Sequence, residues 1–143
     1  MKLTIEIAEV PPTLNQLMRK GWKFRWRLGK QWQDLMACGT SAQERNALRR
    51  AKGIRRIALY CRHMQLWDAG DNAQSAYKVI LDAGTRLGWW KDDSAEFLTC
   101  APVEQEKVAR RSEVVTRVTI EVAEAQDAAK VGATITVTSL EAE

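Results

Sequence analysis

The chain has 143 residues, 45% of them hydrophobic, and a formal net charge of +4. That composition predicts one folded domain over residues 1–143 rather than an extensively disordered chain, and no apolar run is long enough to cross a bilayer. Cys38, Cys61 and Cys100 stand far apart with no CxxC pair, which argues against a disulfide framework or a zinc knot and for a reducing cytoplasm.

Met1-Lys2-Leu3-Thr4-Ile5-Glu6 carries charge inside an alternating pattern, unlike a signal peptide. Leu3, Ile5 and Ile7 alternate with Thr4, Glu6 and Ala8, which predicts a half-buried strand ended by Pro11-Pro12. The next stretch reads as an irregular basic loop running into a helix around Lys30–Ala37. Ser41-Ala42-Gln43-Glu44 is a capping-box sequence, predicting a helix that runs to Lys52 and stops at Gly53. Ile57, Leu59 and Cys61 alternate as a second strand, followed by a turn at Trp67–Asn72. Ala73, Ala76, Tyr77, Ile80, Gly84 and Leu87 form one helical stripe, with Gly88 as the stop. Glu96–Cys100, Val114–Val122 and Thr134–Thr138 read as strands, and the acidic end beyond Leu140 as a frayed terminus. The expected fold is α+β, a mixed β-sheet flanked by helices.

Charge is unevenly distributed. Residues 1–62 hold 14 Lys/Arg against 4 Asp/Glu, and residues 63–143 hold 8 against 14. A basic first half points to a polyanionic partner. Arg19, Lys20, Lys23, Arg25, Arg27 and Lys30 interleave with Trp22, Phe24, Trp26 and Trp32. The cations suit phosphates, and aromatics such as Trp22 and Trp26 suit unpaired bases; Trp32, at a helix start, is expected to pack. A second cluster, Arg45, Arg49, Arg50, Lys52, Arg55 and Arg56, reads equally as a phosphate track or as a solvated helix surface.

The acidic second half contains Asp68-Ala69-Gly70-Asp71-Asn72, then Lys78, Asp82 and Asp92-Asp93. Asp71 and Lys78, seven residues apart, share a helix face if the helix begins early, and Asp82 lies a turn further on. Carboxylates that converge repel one another unless a cation such as Mg²⁺ joins them, and Mg²⁺ prefers oxygen ligands. The same residues also suit a turn, a helix N-cap and a solvated loop. His63 is the sole histidine, so a multi-histidine metal site is excluded, and Ser75 has no histidine near it in sequence, which argues against a serine nucleophile. No glycine-rich phosphate loop is present, so no nucleotide cofactor is expected.

The order Asp68, Asp71-Asn72, Lys78, Asp82, Gly88, Asp92-Asp93, with Pro11-Pro12-x-x-Asn15 after the first strand, resembles the RusA-like Holliday junction resolvases. The resemblance spans most of residues 1–100. It implies a homodimeric, Mg²⁺-dependent endodeoxyribonuclease, with Mn²⁺ able to substitute, that cuts four-way DNA symmetrically in recombination and repair and leaves 5′-phosphate and 3′-hydroxyl ends. It assigns Asp68, Asp71 and Asp93 to the metal and Lys78 to catalysis, with Asp82, Asp92 and Asn72 as supporting residues. Two intervals depart from the best-known pattern. Two residues separate Asp68 from Asp71 where that pattern has one, and Lys78 falls three residues later after Asn72, as in phage-borne relatives. The competing expectations are a non-catalytic branched-DNA-binding protein that retains the fold, and a metal nuclease acting on flaps or forks.

Overall fold

The computed structural model describes residues 1–68 and 71–122, apart from the side chains of Leu14, Asp71 and Asn72. The expected strand at Thr134–Thr138 lies outside the described residues. Alternation produces the strands foreseen for it: β1 (Lys2–Ile7), β2 (Arg55–His63) and β5 (Val115–Val122). Two short strands, β3 (Leu98–Cys100) and β4 (Glu104–Lys107), complete the sheet. β1 runs antiparallel to β5, β5 antiparallel to β2, and β3 and β4 both lie parallel to β2. The result is a mixed, open sheet ordered β1-β5-β2, with β3 and β4 sharing the far edge.

Every second residue of the long strands is buried: Leu3, Ile5 and Ile7, then Ile57, Leu59 and Cys61, then Val118, Ile120 and Val122. The helices cover this face. They are α1 (Leu14–Lys20), α2 (Trp22–Cys38), α3 (Ala42–Arg50), α4 (Asp71–Gln74) and α5 (Tyr77–Leu87). Trp32 and Met36 from α2, Leu48 from α3 and Ile80 from α5 join the strand residues in one core with Trp89 and Trp90. The opposite face is polar: Arg117 reaches Glu6 at 3.0 Å, and the Tyr60 hydroxyl donates to Glu106. Among the described residues no helix is long and apolar enough to cross a membrane.

The basic stretch after Pro12 differs in part from the expectation: the helix foreseen around Lys30–Ala37 is present, but the segment before it is also helical, as α1 and the first half of α2, rather than a loop. Thr13 and Gln16 form a capping box, the Thr13 amide donating to Gln16 Oε1 at 2.9 Å, and this starts α1. A narrow buried stripe, Gly29, Trp32 and Met36, is enough to hold α2 against the core. Trp32 is packed, as expected.

The predicted helix from Ala73 is also broken. α4 ends at Gln74, and hydrogen bonds of the i→i+3 kind, Ala76 N–H to Ala73 and Lys78 N–H to Ser75, tighten the chain before α5. Asp71 and Lys78 therefore do not share one continuous helix face.

Three arginines of the second basic cluster close helix C-termini. Arg45 donates to Ala37 and Thr40 carbonyls after α2, and Arg49 to Leu87 at the end of α5. Arg55, buried without a carboxylate partner among the described residues, donates to Leu48 and Ala51 of α3 and to Trp89. Guanidinium groups suit these sites because the last carbonyls of a helix are unpaired and carry partial negative charge. Arg50, Lys52 and Arg56 remain exposed.

α5 stops at Gly88, whose φ of 77° is the left-handed conformation that glycine tolerates best. The chain then turns so that Trp90 lies flat on α5, its indole N–H donating to Leu81 at 3.1 Å. A Cβ at Gly84 would collide with the Trp90 ring. Gly84→Ala is therefore expected to destabilise the fold by about 1–3 kcal/mol through overpacking. An unchanged urea midpoint would show that Trp90 is not seated as described.

Candidate functional site

β1 and β2 run in the same direction, and both end beside the start of β5. A polar cleft of about 730 Å³ opens there. Its walls are the segment after β1 (Ala8–Pro11), the α1 residues Asn15, Gln16 and Arg19, the segment His63–Asp68 after β2, and Arg111 and Val114 before β5. Asn15, from the Pro-Pro-x-x-Asn element, and Asp68 thus line one cavity, with Arg19 and Arg111 as its cations. Pro11 and Pro12 are buried, which fixes where α1 begins.

The segment carrying Asp68 is held by one side chain. Gln105 on β4 accepts from the Trp67 amide and donates to the Trp67 carbonyl, both at 3.0 Å, imitating a strand partner. Its oxygen also lies 2.9 Å from His63 Nε2. His63 is buried, and its ring packs against Trp67 with centroids 4.4 Å apart. Asp68 itself is exposed and makes no ion pair among the described residues. Neither Gln105 nor Arg111 was foreseen: one lies in a polar strand and the other opens a short 3-10 turn, and neither has a spacing signal.

On the far side of α4, the Gln74 side chain accepts from the Val103 amide at 2.8 Å. Asp93 is exposed, and its charge, together with burial, pushes the Cys100 thiol up. Asp93 is not among the residues lining the Asp68 cleft. Asp92 accepts from the Ser94 amide at 2.8 Å, a turn contact that lowers its carboxyl below the usual range.

Lys78 and Asp82 form an exposed i,i+4 pair at 3.3 Å, so Asp82 is a partner of Lys78. Among the described residues no three Asp, Glu, His or Cys side chains converge where they could hold a metal ion. The side chains of Asp71 and Asn72, both expected at the site, lie outside the described residues. Asp68, which forms no ion pair among the described residues, presents carboxylate oxygens to the polar cleft, the ligand type that Mg²⁺ takes together with a substrate phosphate.

Next to the cleft, Arg19, Lys20, Lys23, Arg25, Arg27 and Lys30 are all exposed along α1 and α2. Trp22 and Trp26 are exposed with them, at 67% and 61%. No protein-family model matches this chain, and no curated protein sequence matches it significantly.

Tyr77, which the sequence presents only as a core residue, joins α5 to the sheet beside its β3–β4 edge. Its hydroxyl accepts from the Leu59 amide at 3.0 Å and donates to the Ala101 carbonyl at 2.7 Å. Burial pushes its pKa far up and that of the Cys61 thiol to about 11, so both groups stay protonated in the fold. A folded-state pKa above the unfolded one stabilises the protein below the unfolded value, and that stability is lost as pH rises through the folded value. Stability is therefore expected to fall between about pH 9 and pH 11, with Cys61 contributing up to about 3 kcal/mol of the loss. Chemical denaturation across that range checks it, and Cys61→Ala should flatten the slope. Tyr77→Phe, which leaves the Leu59 amide and Ala101 carbonyl without their shared partner, should cost about 1–3 kcal/mol at neutral pH.

Proposed function

We propose that the chain is a divalent-metal-dependent endonuclease that cleaves branched DNA, four-way junctions in particular, as a homodimer. The observation that carries this reading is the polar cleft in which Asp68 faces a space shared with Arg19, Asn15 and Arg111, beside an exposed row of cations on α1 and α2. The order and spacing of Asp68, Asp71, Lys78 and Asp93, with the resemblance they support, supply the rest.

In this reading Arg19 and Arg111 hold a phosphate of the bound strand in the cleft. Asp68, with Asp71 and with Asp93 brought in from outside the cleft, would hold Mg²⁺. When bound, the ion lowers the pKa of a water and polarises the phosphodiester. Gln105 keeps the Asp68 segment against the sheet edge while DNA binds. Lys78 moves from Asp82 to the phosphate, placing positive charge where negative charge develops. Two copies related by a twofold axis would present two such sites to a junction of matching symmetry, giving paired nicks. The competing reading, a DNA-binding protein without catalysis, draws on the absence of a three-ligand cluster among the described residues and on the Lys78–Asp82 pair.

The test is nicking of a mobile four-way junction against linear duplex, flap and fork, with Mg²⁺ and with EDTA. Symmetric junction cuts that require Mg²⁺ and vanish in Asp68→Asn and Asp71→Asn are expected. Lys78→Ala should slow cleavage at least about 100-fold while changing stability by under about 0.5 kcal/mol, the worth of an exposed helix pair. Tight junction binding without cleavage in any divalent metal would sink the nuclease reading.

A further inference from the structure

Trp22 and Trp26 stand one turn apart on α2, and neither serves the core, which takes Gly29, Trp32 and Met36 from this helix. At 100° per residue, Trp22, Trp26, Lys30, Lys23 and Arg27 occupy one continuous arc of roughly 140° that begins, at Trp22, about 20° from the buried Gly29 and runs round to the opposite side of the helix. The one acidic residue on that arc, Asp34, lies at its far end and pairs with Lys30 at 3.8 Å. Lys23 and Arg27 form no ion pair among the described residues. Lys23 Nζ stands 5.9 Å from the centroid of the Trp22 ring, so cation and aromatic are presented together.

Two large indoles left in water amid unpaired cations match a ligand that carries both π-faces and negative charge. A second copy of this chain meeting the same face across a twofold axis would bring like charges together. Duplex DNA supplies the charge, but its base faces are covered by their neighbours. The two indoles are also separated by about 6 Å along the helix, more than the roughly 3.4 Å between stacked bases. Adjacent bases reach both rings only when unstacked from each other.

We propose that this face of α2 binds unpaired nucleotides, with one base on Trp22, the next on Trp26, and the intervening phosphates on Lys23, Arg27 and Lys30. That the strand is DNA rests on the nuclease reading; the stacking rests on α2 alone. For a branched substrate, the site would take the bases that open at the branch point, apart from the carboxylates that cut.

The test is fluorescence anisotropy of short labelled oligo(dT), oligo(U) and duplex DNA in EDTA, so that cleavage plays no part. Trp22→Leu/Trp26→Leu keeps the apolar bulk and every cation but removes the π-faces. It should weaken oligo(dT) binding about 100-fold, tenfold or more per stacked base, and duplex binding less than about twofold. Trp22→Phe/Trp26→Phe should recover most of the loss, which a folding defect would not explain. Lys23→Gln/Arg27→Gln should weaken both ligands and lower the slope of log K against log salt on oligo(dT) by about 1.4. Oligo(U) should bind as oligo(dT) does, because stacking ignores the sugar. Equal loss on duplex and single strand in the leucine variant, or none on either, overturns the proposal. So does a leucine variant that turns a dimeric protein monomeric with DNA affinity unchanged. Intact stacking in a protein that never cleaves would overturn only the nuclease reading.

Discussion

The Tyr77 hydroxyl stands inside the sheet's hydrogen-bond ladder, and the candidate site depends on it. β2 pairs with β3 at Arg55–Ile57 and with β4 at Tyr60–His63, but Ala101–Val103 intervene and Pro102 has no amide to give. The ladder reaches Ala101, whose amide donates to Ile57, and then opens. Left alone, the Leu59 amide and the Ala101 carbonyl would be buried without partners, at a cost comparable to a lost hydrogen bond each. Tyr77 bridges them, so one phenol mends the sheet and fixes the start of α5 at the same point. The break between α4 and α5 follows, since Ala76 and Tyr77 must both enter the core while Gln74 turns to Val103.

The sequence made the long strands plain because their alternation is the direct trace of one buried face: Leu3 and Ile5 lie opposite Ile120 and Val118, and Ile7 opposite the buried Thr116. It concealed α1 and the first half of α2, though not the helix around Lys30–Ala37 that forms the second half, because a helix resting on a narrow stripe leaves most of its positions free for lysine and arginine. The Thr13–Gln16 capping box was the available signal. β4 reads Glu-Gln-Glu-Lys, with no apolar period at all; it is an edge strand, paired to β2 on one side. Of the candidate site, the order of the acidic residues was legible, and so was the exposure of the basic aromatic segment. Which carboxylate faces which cavity was not, because Asp68 and Asp93 lie in connections whose course is set by Gln105 and by the turn at Asp92, contacts far apart in sequence.

The charge asymmetry has two origins that composition cannot separate. Arg45, Arg49 and Arg55 answer the negative ends of three helices and donate to the chain's own carbonyls. The cations of α1 and α2 answer nothing comparable within the protein; apart from Lys30, none forms an ion pair among the described residues. A basic half is thus partly architecture and partly surface, and only the second part is available to a polyanion.

Gln105 and Gln74 hold the two ends of the stretch that carries the first acidic pair, one at Trp67 and the other at Val103. Both anchors are side chains reaching to backbone, and neither belongs to a strand ladder. β2 ends before these anchors and β4 begins after them, so a change in the length of the Asp68–Asp71 interval shifts no strand register. The spacing of Asp68 and Asp71 is in this sense decoupled from the sheet, an evolvable interval mounted on an unchanging frame. An added residue there would change the reach of the two carboxylates and leave the pairing of β2 with β4 as it is.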